Sequence, residues 1–256
     1  MARIEDAGLN ASAPTQQRVF DGWLLRFSPG KAKRARCINA IGAGRLPLAD
    51  KLAFCERAYA QAALPLVVRI TPFSEPPRLD EALATMGMHC LDDTRVMLLP
   101  DLRALTTHAL PGMKLHEVSC LDFAQTVGAM RGSSALHCQA HAERLHHAPV
   151  RFRGFVVRQD GEAVACAQYA LEADLAGLYD VFTLPTARGQ GIARETCARL
   201  LIRARSEGAQ RAYLQVEGDN EPARAAYHRL GFADAYAYHY RTRDPQFAPG
   251  WAGSHP

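Results

Sequence analysis

A glycine-rich segment between a predicted strand and a predicted helix is the part of the sequence best suited to chemistry. The segment VFTLPTARGQGIA runs from Val181 to Ala193, and a helix is predicted from Ile192. The N–H groups in the first turn of a helix have no partner within the helix, and the helix dipole places partial positive charge there. Gly189 and Gly191 have no Cβ, so the backbone can approach a bulky anion closely. The segment therefore predicts a polyphosphate site.

The residues around these glycines limit the classes of phosphate-bearing ligand that the loop is expected to bind. Arg188 and Arg194 flank the loop and add positive charge at its rim. The dinucleotide fingerprint is not met, because Arg194 stands three residues after Gly191, and the Gly-Lys-Ser/Thr of a P-loop is missing. The loop suits a pyrophosphate without indicating NAD or ATP.

A second motif, LQVEGDNEPARAAYHRLGF, runs from Leu214 to Phe232. Asn220 stands at a predicted strand-to-helix junction, where asparagine commonly caps a helix, and Pro222 suits the first helical turn. Tyr227 follows Asn220 by seven residues, so both lie on one helical face. Alone, each would be an ordinary cap or a packed aromatic residue. Together with the glycine loop they predict one shared site.

Both motifs resemble those of the GCN5-related N-acetyltransferase (GNAT) superfamily. The first signature, R-x-x-G-x-A, is formed by Arg188, Gly191 and Ala193. The second signature is formed by Asn220, Ala223, Tyr227, Gly231 and Phe232. The resemblance covers about residues 115–243, roughly half of the chain.

The resemblance implies an α/β (α+β) fold, in which helices flank a mixed, mostly antiparallel sheet. It also implies acetyl-CoA as the acetyl donor, whose pantetheine arm would pair with one strand as an added strand. The loop N–H groups would hold the pyrophosphate, and the tyrosine would face the sulfur. The residues expected to bind the cofactor are Val181, Phe182, Thr183, Arg188, Gly189, Gln190, Gly191, Ile192, Ala193, Arg194, Asn220 and Tyr227.

The expected reaction is direct attack of a primary amine, from a small molecule, a peptide or a protein, on the thioester. A backbone N–H of the Val181–Thr183 strand can polarise the carbonyl oxygen, and Tyr227 can protonate the departing thiolate. Asp180 and Glu217 are the candidate bases for the amine proton. Family members often carry a glutamate five residues before the asparagine, where this chain has Gln215. A water relay is therefore an equal alternative to a direct carboxylate base.

Two other interpretations of the motifs remain open. A non-enzymatic acyl-CoA sensor or partner-binding module would also use the cofactor site, although a pure binder has no need of Tyr227 facing the sulfur. A histidine-rich stretch suggests metal ligands, acceptor-groove lining or a plain surface helix. Its members are His137, Cys138, His141, His146 and His147. His137 and His141 are one helical turn apart, but no further ligand spacing supports a metal, and none is expected.

Apolar periodicity predicts the elements that position these residues. One or two strands are predicted over 18–27, and single strands over 35–41, 66–71, 94–99, 114–118, 152–158, 163–171, 178–184, 212–217 and 235–241. Helices are predicted over 49–61, 79–86, 121–130, 139–147, 192–206 and 221–230. This mixed order indicates an α/β or α+β fold.

The first half of the chain is interpreted as a shortened copy of the second. A shift of 144 residues aligns Gly87-Met88 with Gly231-Phe232 and the predicted helix at 49–61 with 193–205. The first half lacks the residues of the predicted site, because Pro47 aligns with Gly191 and Leu83 aligns with Tyr227. We expect a degenerate, structural domain over 1–105, a catalytic acetyl-CoA-binding domain over 106–244 and a loose tail over 245–256.

Composition excludes several classes of protein. The chain has 256 residues, of which 48% are hydrophobic and 22% charged, as in ordinary globular proteins. No uninterrupted apolar run is long enough to cross a membrane, and the first ten residues lack the apolar core of a secretory signal. Seven cysteines, an odd number without a C-x-x-C pair, favour reduced thiols in the cytoplasm.

The net charge of +4 gives little information on partners. Lys31, Lys33, Arg34 and Arg36 follow Ser28-Pro29-Gly30 and are interpreted as a solvated hairpin turn. No interleaved aromatic residues or known module support nucleic-acid binding there. The expected partners are acetyl-CoA and an unidentified amine, with neither membrane nor nucleic acid. A monomer and a homodimer are both compatible with the sequence.

Overall fold

The computed structural model describes residues 1–108 and 112–244. Its strands are β1 (Gln16–Phe20), β2 (Trp23–Phe27), β3 (Ile38–Asn39), β4 (Val67–Ile70), β5 (His89–Leu99), β6 (Met113–Val118), β7 (Phe152–Gln159), β8 (Glu162–Glu172), β9 (Leu175–Thr183), β10 (Arg211–Glu217) and β11 (Ala233–Thr242). Its α-helices are α1 (Ala2–Ala11), α2 (Leu48–Gln61), α3 (Leu79–Thr85), α4 (Cys120–Met130), α5 (Ala135–His147), α6 (Ile192–Ser206) and α7 (Glu221–Arg229). The tail predicted over 245–256 lies outside the described residues.

The strands form a single sheet in the order β1-β2-β3-β4-β11-β5-β10-β9-β8-β7-β6. Neighbouring strands are antiparallel except for the β3–β4 and β9–β10 pairs. This confirms the expected mixed, mostly antiparallel sheet flanked by helices. The sheet places β9 and β10, which precede the two predicted motifs, side by side.

The last strands of the two halves are exchanged within this sheet. β5 belongs to the first half of the chain, yet it pairs with β10 and β11 of the second half. In the same way, β11 pairs with β4 of the first half. The pattern β1-β2-β3-α2-β4-α3-β5 in the first half has the same order as β7-β8-β9-α6-β10-α7-β11 in the second. The origin of the two halves by duplication stays a prediction, and so do the domain boundaries. The structure shows in addition that strands of both halves belong to one sheet.

The core of the described residues consists of five hydrophobic clusters, three of which show how the two halves are joined. In the second half, Leu200 and Leu201 of α6 pack with Leu178, Leu214 and Phe232. The first half has its own cluster of Trp23, Leu25, Leu52, Tyr59 and Val68. The third cluster joins residues of both halves: Ile4, Ala7, Cys37, Val67, Val96, Leu175, Tyr213, Tyr238 and Tyr240. The two halves therefore share buried surface as well as strands.

The N-terminal helix α1 was not predicted from the sequence. Ile4, Ala7 and Ala11 lie on its buried side, and Gly8 is buried with them. This face is made mostly of small residues and gives a weak periodic signal. Helix α1 contacts β9 and so covers the sheet beside the predicted site.

One further prediction needs adjustment. The strand predicted over 35–41 is only the two-residue β3, because Lys33–Ala35 forms a short 3₁₀ turn before it. Of the described helices, none has both the length and the apolar character needed to cross a membrane.

Candidate functional site

Strands β9 and β10 separate to form a V-shaped opening. They pair only between Leu175–Leu178 and Arg211–Leu214. From Tyr179 to Thr183, β9 keeps β8 on one side and has no strand of the described chain on the other. A cavity of about 960 Å³ opens here, and Val181, Phe182 and Thr183 all line it. Their unpaired backbone edge can accept an extended ligand as an added strand.

A β-bulge distorts β9 at the opening. Cys166 of β8 faces Phe182 and Gln168 faces Tyr179, so Ala167 alone faces both Asp180 and Val181. Asp180 has a φ of +49°, which is uncommon for a residue with a Cβ. Bulges re-aim backbone and side-chain groups locally. The bulge therefore lies next to residues 181–183, the segment whose N–H was predicted to polarise the thioester carbonyl.

The glycine loop forms a cradle of backbone N–H groups. Gly189 and Gly191 have φ values of 78° and 77°, in the left-handed region that favours glycine, and a Cβ at either position would meet nothing within 4 Å. Helix α6 begins directly after Gly191. Within the described chain, the N–H groups of residues 189–194 have no hydrogen-bond acceptor. Arg188 Nε donates to the Thr183 carbonyl at 3.2 Å and ties the loop to β9.

Asn220 and Tyr227 line the same cavity. Asn220 caps α7, as predicted, because its Oδ1 accepts from the Ala223 N–H at 3.2 Å. Tyr227 is only 8% exposed, and its ring packs on Phe232 with centroids 6.0 Å apart. Burial raises the pKa of Tyr227 above its ordinary value, so its hydroxyl keeps its proton at neutral pH.

The two carboxylates predicted as bases have different surroundings. Asp180 accepts from Arg131 Nη1 at 2.9 Å and from Gln168 Nε2 at 2.6 Å, and His141 Nε2 lies 3.3 Å away. Burial alone would raise the pKa of Asp180, but His141, Arg131 and a further arginine outweigh it and hold that pKa well below its usual range. Glu217 is exposed at the end of β10 and lines the cavity.

Asp180 should therefore stabilise the fold in a pH-dependent way. A carboxyl whose folded pKa lies below its unfolded value, about 3.9, stabilises the folded state above that pH and loses this effect as the pH falls through the folded pKa. We expect Asp180→Asn to lower the melting temperature at neutral pH, and the deficit to shrink below about pH 4. Thermal unfolding followed by circular dichroism across this range measures it. The exposed Asp160→Asn serves as control, and a deficit independent of pH would contradict the account.

The basic cluster predicted as a solvated turn is instead part of the cavity wall, which corrects that prediction. Lys31, Lys33 and Arg34 line the cavity. Lys33 Nζ pairs with Asp92 at 2.9 Å, and Arg34 Nη1 donates to Tyr238 Oη at 3.1 Å. Because that tyrosine is 204 residues away in the chain, no local pattern could have revealed the contact.

Two arginines that the sequence analysis did not single out also line the cavity. They are Arg131, after α4, and Arg144, in α5. Gln215, which also lines the cavity, accepts at Oε1 from Tyr238 Oη at 2.8 Å. The sequence offered no signal for the arginines beyond their charge.

The histidine-rich stretch forms most of α5. His141 contacts Asp180 at the edge of the site, whereas the His137 backbone N–H and ring belong to the Ser134 cap of the helix. Within residues 1–108 and 112–244, no group of three or more His, Cys, Asp or Glu side chains has the arrangement of a metal site.

Comparison with known proteins shows what the region around this cavity is similar to. The model of the acetyltransferase (GNAT) family matches residues 121–232. An uncharacterized N-acetyltransferase, YobR of Bacillus subtilis (strain 168), is 24% identical over 230 residues, which are 89% of this chain and 92% of that protein. A GCN5-related N-acetyltransferase from Kribbella flavida superposes with a TM-score of 0.69 at 19% identity and covers 95% of each chain. A tandem GNAT protein from the clavulanic acid biosynthesis pathway has a TM-score of 0.62 at 15% identity, over 77% of this chain and 70% of that one.

Proposed function

We propose that this chain, whose residues 121–232 match the model of the acetyltransferase (GNAT) family, transfers the acetyl group of acetyl-CoA to a primary amine. The supporting observation is that three features meet in one cavity. These are the open edge of β9, the N–H cradle at residues 189–194 and the buried Tyr227.

The cradle fits the pyrophosphate of acetyl-CoA. Left-handed glycines leave open space where a Cβ would stand, and the N-terminus of α6 adds the positive end of a helix dipole. We propose that Gly189, Gln190, Gly191, Ile192, Ala193 and Arg194 hold this group through their N–H groups, with Arg188 at the rim. The open edge of β9 would pair with the pantetheine arm, and the unused amide nitrogen of Asn220 would donate to the cofactor.

In the proposed reaction, the amine nitrogen bonds to the thioester carbonyl carbon, and the carbon–sulfur bond then breaks. A backbone N–H at the β9 bulge would stabilise the negative charge that develops on the carbonyl oxygen. The protonated Tyr227 would donate its proton to the departing thiolate and regain one from solvent.

The amine must also lose a proton, and the surroundings of the carboxylates favour Glu217 over Asp180 for this role. Asp180 is held ionised by Arg131 and His141, so it has little affinity for a proton. Glu217 is exposed at the cavity. Transfer through water to Glu217 or to solvent remains part of the proposal.

The test is release of free thiol from acetyl-CoA in the presence of a panel of primary amines. Gly191→Ala is the diagnostic variant, because its Cβ would enter the space proposed for the pyrophosphate and strain a φ of 77°. We expect this variant to bind acetyl-CoA about tenfold more weakly by calorimetry. Gly161→Ala, in the turn between β7 and β8, also replaces a glycine of positive φ and is the control. Unchanged acetyl-CoA affinity in the Gly191 variant would contradict the proposed cradle.

A second candidate function, a non-enzymatic acyl-CoA sensor, is favoured by one observation. Gln215, which cannot act as a base, occupies the position where relatives often carry glutamate, and it is hydrogen-bonded to Tyr238. Calorimetric binding of acetyl-CoA without thiol release on any amine would support the sensor.

We also propose that the protein acts in the cytoplasm. The seven cysteines are free thiols in the structure, and four of them are buried, as is common in reducing compartments.

A further inference from the structure

Apart from the residues of the two cofactor motifs, the cavity is lined by several cations that come from both halves of the chain. Lys31, Lys33 and Arg34 come from the segment between β2 and β3, whereas Arg131 and Arg144 come from the region of α4 and α5. None of these residues belongs to the signatures that indicate acetyl-CoA. The resemblance to the family therefore assigns them no role toward acetyl-CoA.

Three of these five cations, Lys31, Arg34 and Arg144, have no ion-pair partner among the described residues. Lys33 is paired with Asp92, and Arg131 with Asp180. By contrast, no carboxylate of the described chain lies within the 4.0 Å ion-pair distance of Arg34 or Arg144. Two guanidinium groups thus line the cavity without an acidic partner.

Most hydrogen-bonding capacity of these two guanidinium groups is also unused. A guanidinium offers five N–H donors. Arg34 donates to Tyr238 Oη at 3.1 Å, and its Nε is buried without an acceptor in the described structure. Arg144 donates to the carbonyl of Ala11, at the C-terminal end of α1, at 3.0 Å. Each guanidinium donates one hydrogen bond in the described structure, and Arg144 also lies over the Phe152 ring at 5.8 Å, so terminal N–H donors of both remain for a ligand in the cavity.

Arg34 lies close enough to Arg144 for its positive charge to act on that guanidinium. Burial lowers the pKa of Arg144, Asp180 opposes that effect, and the charge of Arg34 lowers the pKa further. Keeping two like charges together in a partly desolvated cavity costs free energy unless an anion compensates them. A bound carboxylate or phosphate would supply that compensation, and arginine is well suited to both groups.

We propose that Arg34 and Arg144 bind an anionic group of the acceptor, so that the preferred substrate is a small primary amine that also carries a carboxylate, phosphate or phosphonate. This inference rests on the proposed acetyl transfer. Glu217 lines the same cavity and is exposed, so the cavity offers negative charge for an ammonium group as well as positive charge for the anion. A polyamine has no group to compensate the two arginines and should be a poor substrate.

The test compares amines that differ in charge. Thiol release at saturating acetyl-CoA is measured with γ-aminobutyrate and aminopropylphosphonate, with n-butylamine as the neutral-tail match, and with spermidine. We expect kcat/KM to be about tenfold or more higher for the two acidic amines than for n-butylamine, with spermidine lowest.

Variants of the two arginines then test whether these side chains cause the preference for acidic amines. Arg144→Gln and Arg34→Gln should each reduce the ratio of kcat/KM for the acidic amines to kcat/KM for n-butylamine about tenfold, through a higher KM for the acidic amines, and calorimetry with acetyl-CoA shows whether the cofactor site is affected. Arg144→Lys keeps the charge and should retain part of the preference. Arg103→Gln, which removes an exposed arginine paired with Asp101, is the control, and melting temperatures show whether each variant folds.

The outcomes separate this inference from the proposed function. Turnover of amines without any preference for acidic ones would overturn the inference and leave acetyl transfer intact. Loss of acetyl-CoA affinity in the arginine variants would also overturn it, because the cations would then serve the cofactor. If no amine is acetylated, the proposed function fails, and calorimetry with γ-aminobutyrate on the CoA-bound protein decides the inference. Binding that requires both arginines would support it, and no binding would refute it.

Discussion

Tyr227→Phe is expected to lower the rate of thiol release about 100-fold while acetyl-CoA binds as tightly as to the wild type. The hydroxyl is the only group removed, and phenylalanine fills the same space against Phe232. Because burial keeps Tyr227 protonated, the wild-type side chain is in the form that can donate to a thiolate. The loss should therefore fall on kcat, measured by steady-state thiol release, and little on stability.

A matched control for this variant is Tyr169→Phe. Tyr169 is also fully buried, but its hydroxyl donates to Glu207 at 2.9 Å, and it does not line the cavity. Its loss should leave kcat unchanged. If both variants keep wild-type kcat, Tyr227 is a packed aromatic residue and the proposed proton donation is wrong.

Glu5→Ala is expected to lower the free energy of unfolding by about 3–5 kcal/mol, the cost typical of breaking a buried ion pair. Glu5, on α1, accepts from Arg69 Nη2 at 3.1 Å and from Tyr236 Oη at 2.7 Å. Arg69 of β4 has a side chain only 3% exposed and lies 3.9 Å above the Tyr238 ring. Removing the carboxylate would leave a buried guanidinium without its counter-charge.

Urea denaturation of the wild type and two variants measures this effect. Glu81→Ala breaks an ion pair with Arg78 in which both side chains are largely exposed, and it should change stability by no more than about 1 kcal/mol. An equal loss in the two variants would show that burial of the Glu5–Arg69 pair does not govern its contribution. The comparison also tests whether α1 is held to the sheet mainly through this pair.

The cofactor half of the site could be predicted because its signals are local. The glycines, the helix start at Ile192 and the Asn220 cap depend on neighbours a few residues away, and the structure places them in one cavity. The assignment of these residues to acetyl-CoA stays a prediction until binding is measured.

The acceptor half of the site could not be predicted because its contacts are long-range. Arg34 meets Tyr238, and Arg144 meets Ala11, across 204 and 133 residues. A basic run such as the one ending at Arg36 is usually solvated, and only its docking on the second half shows that it lines a cavity. Helix α1 was missed for a similar reason, since its small buried residues gain their meaning from the sheet they cover.

The position of β5 in the sheet also constrains the order in which the protein can fold. Both hydrogen-bonded neighbours of β5, namely β10 and β11, come later in the chain. During synthesis from the N-terminus, β5 therefore has two unpaired edges until nearly the whole chain has been made. Pairings over such sequence separations form slowly, and unpaired edges are prone to associate with other chains. Neither half can finish its own sheet, so the native state is reached in a late step that both halves share.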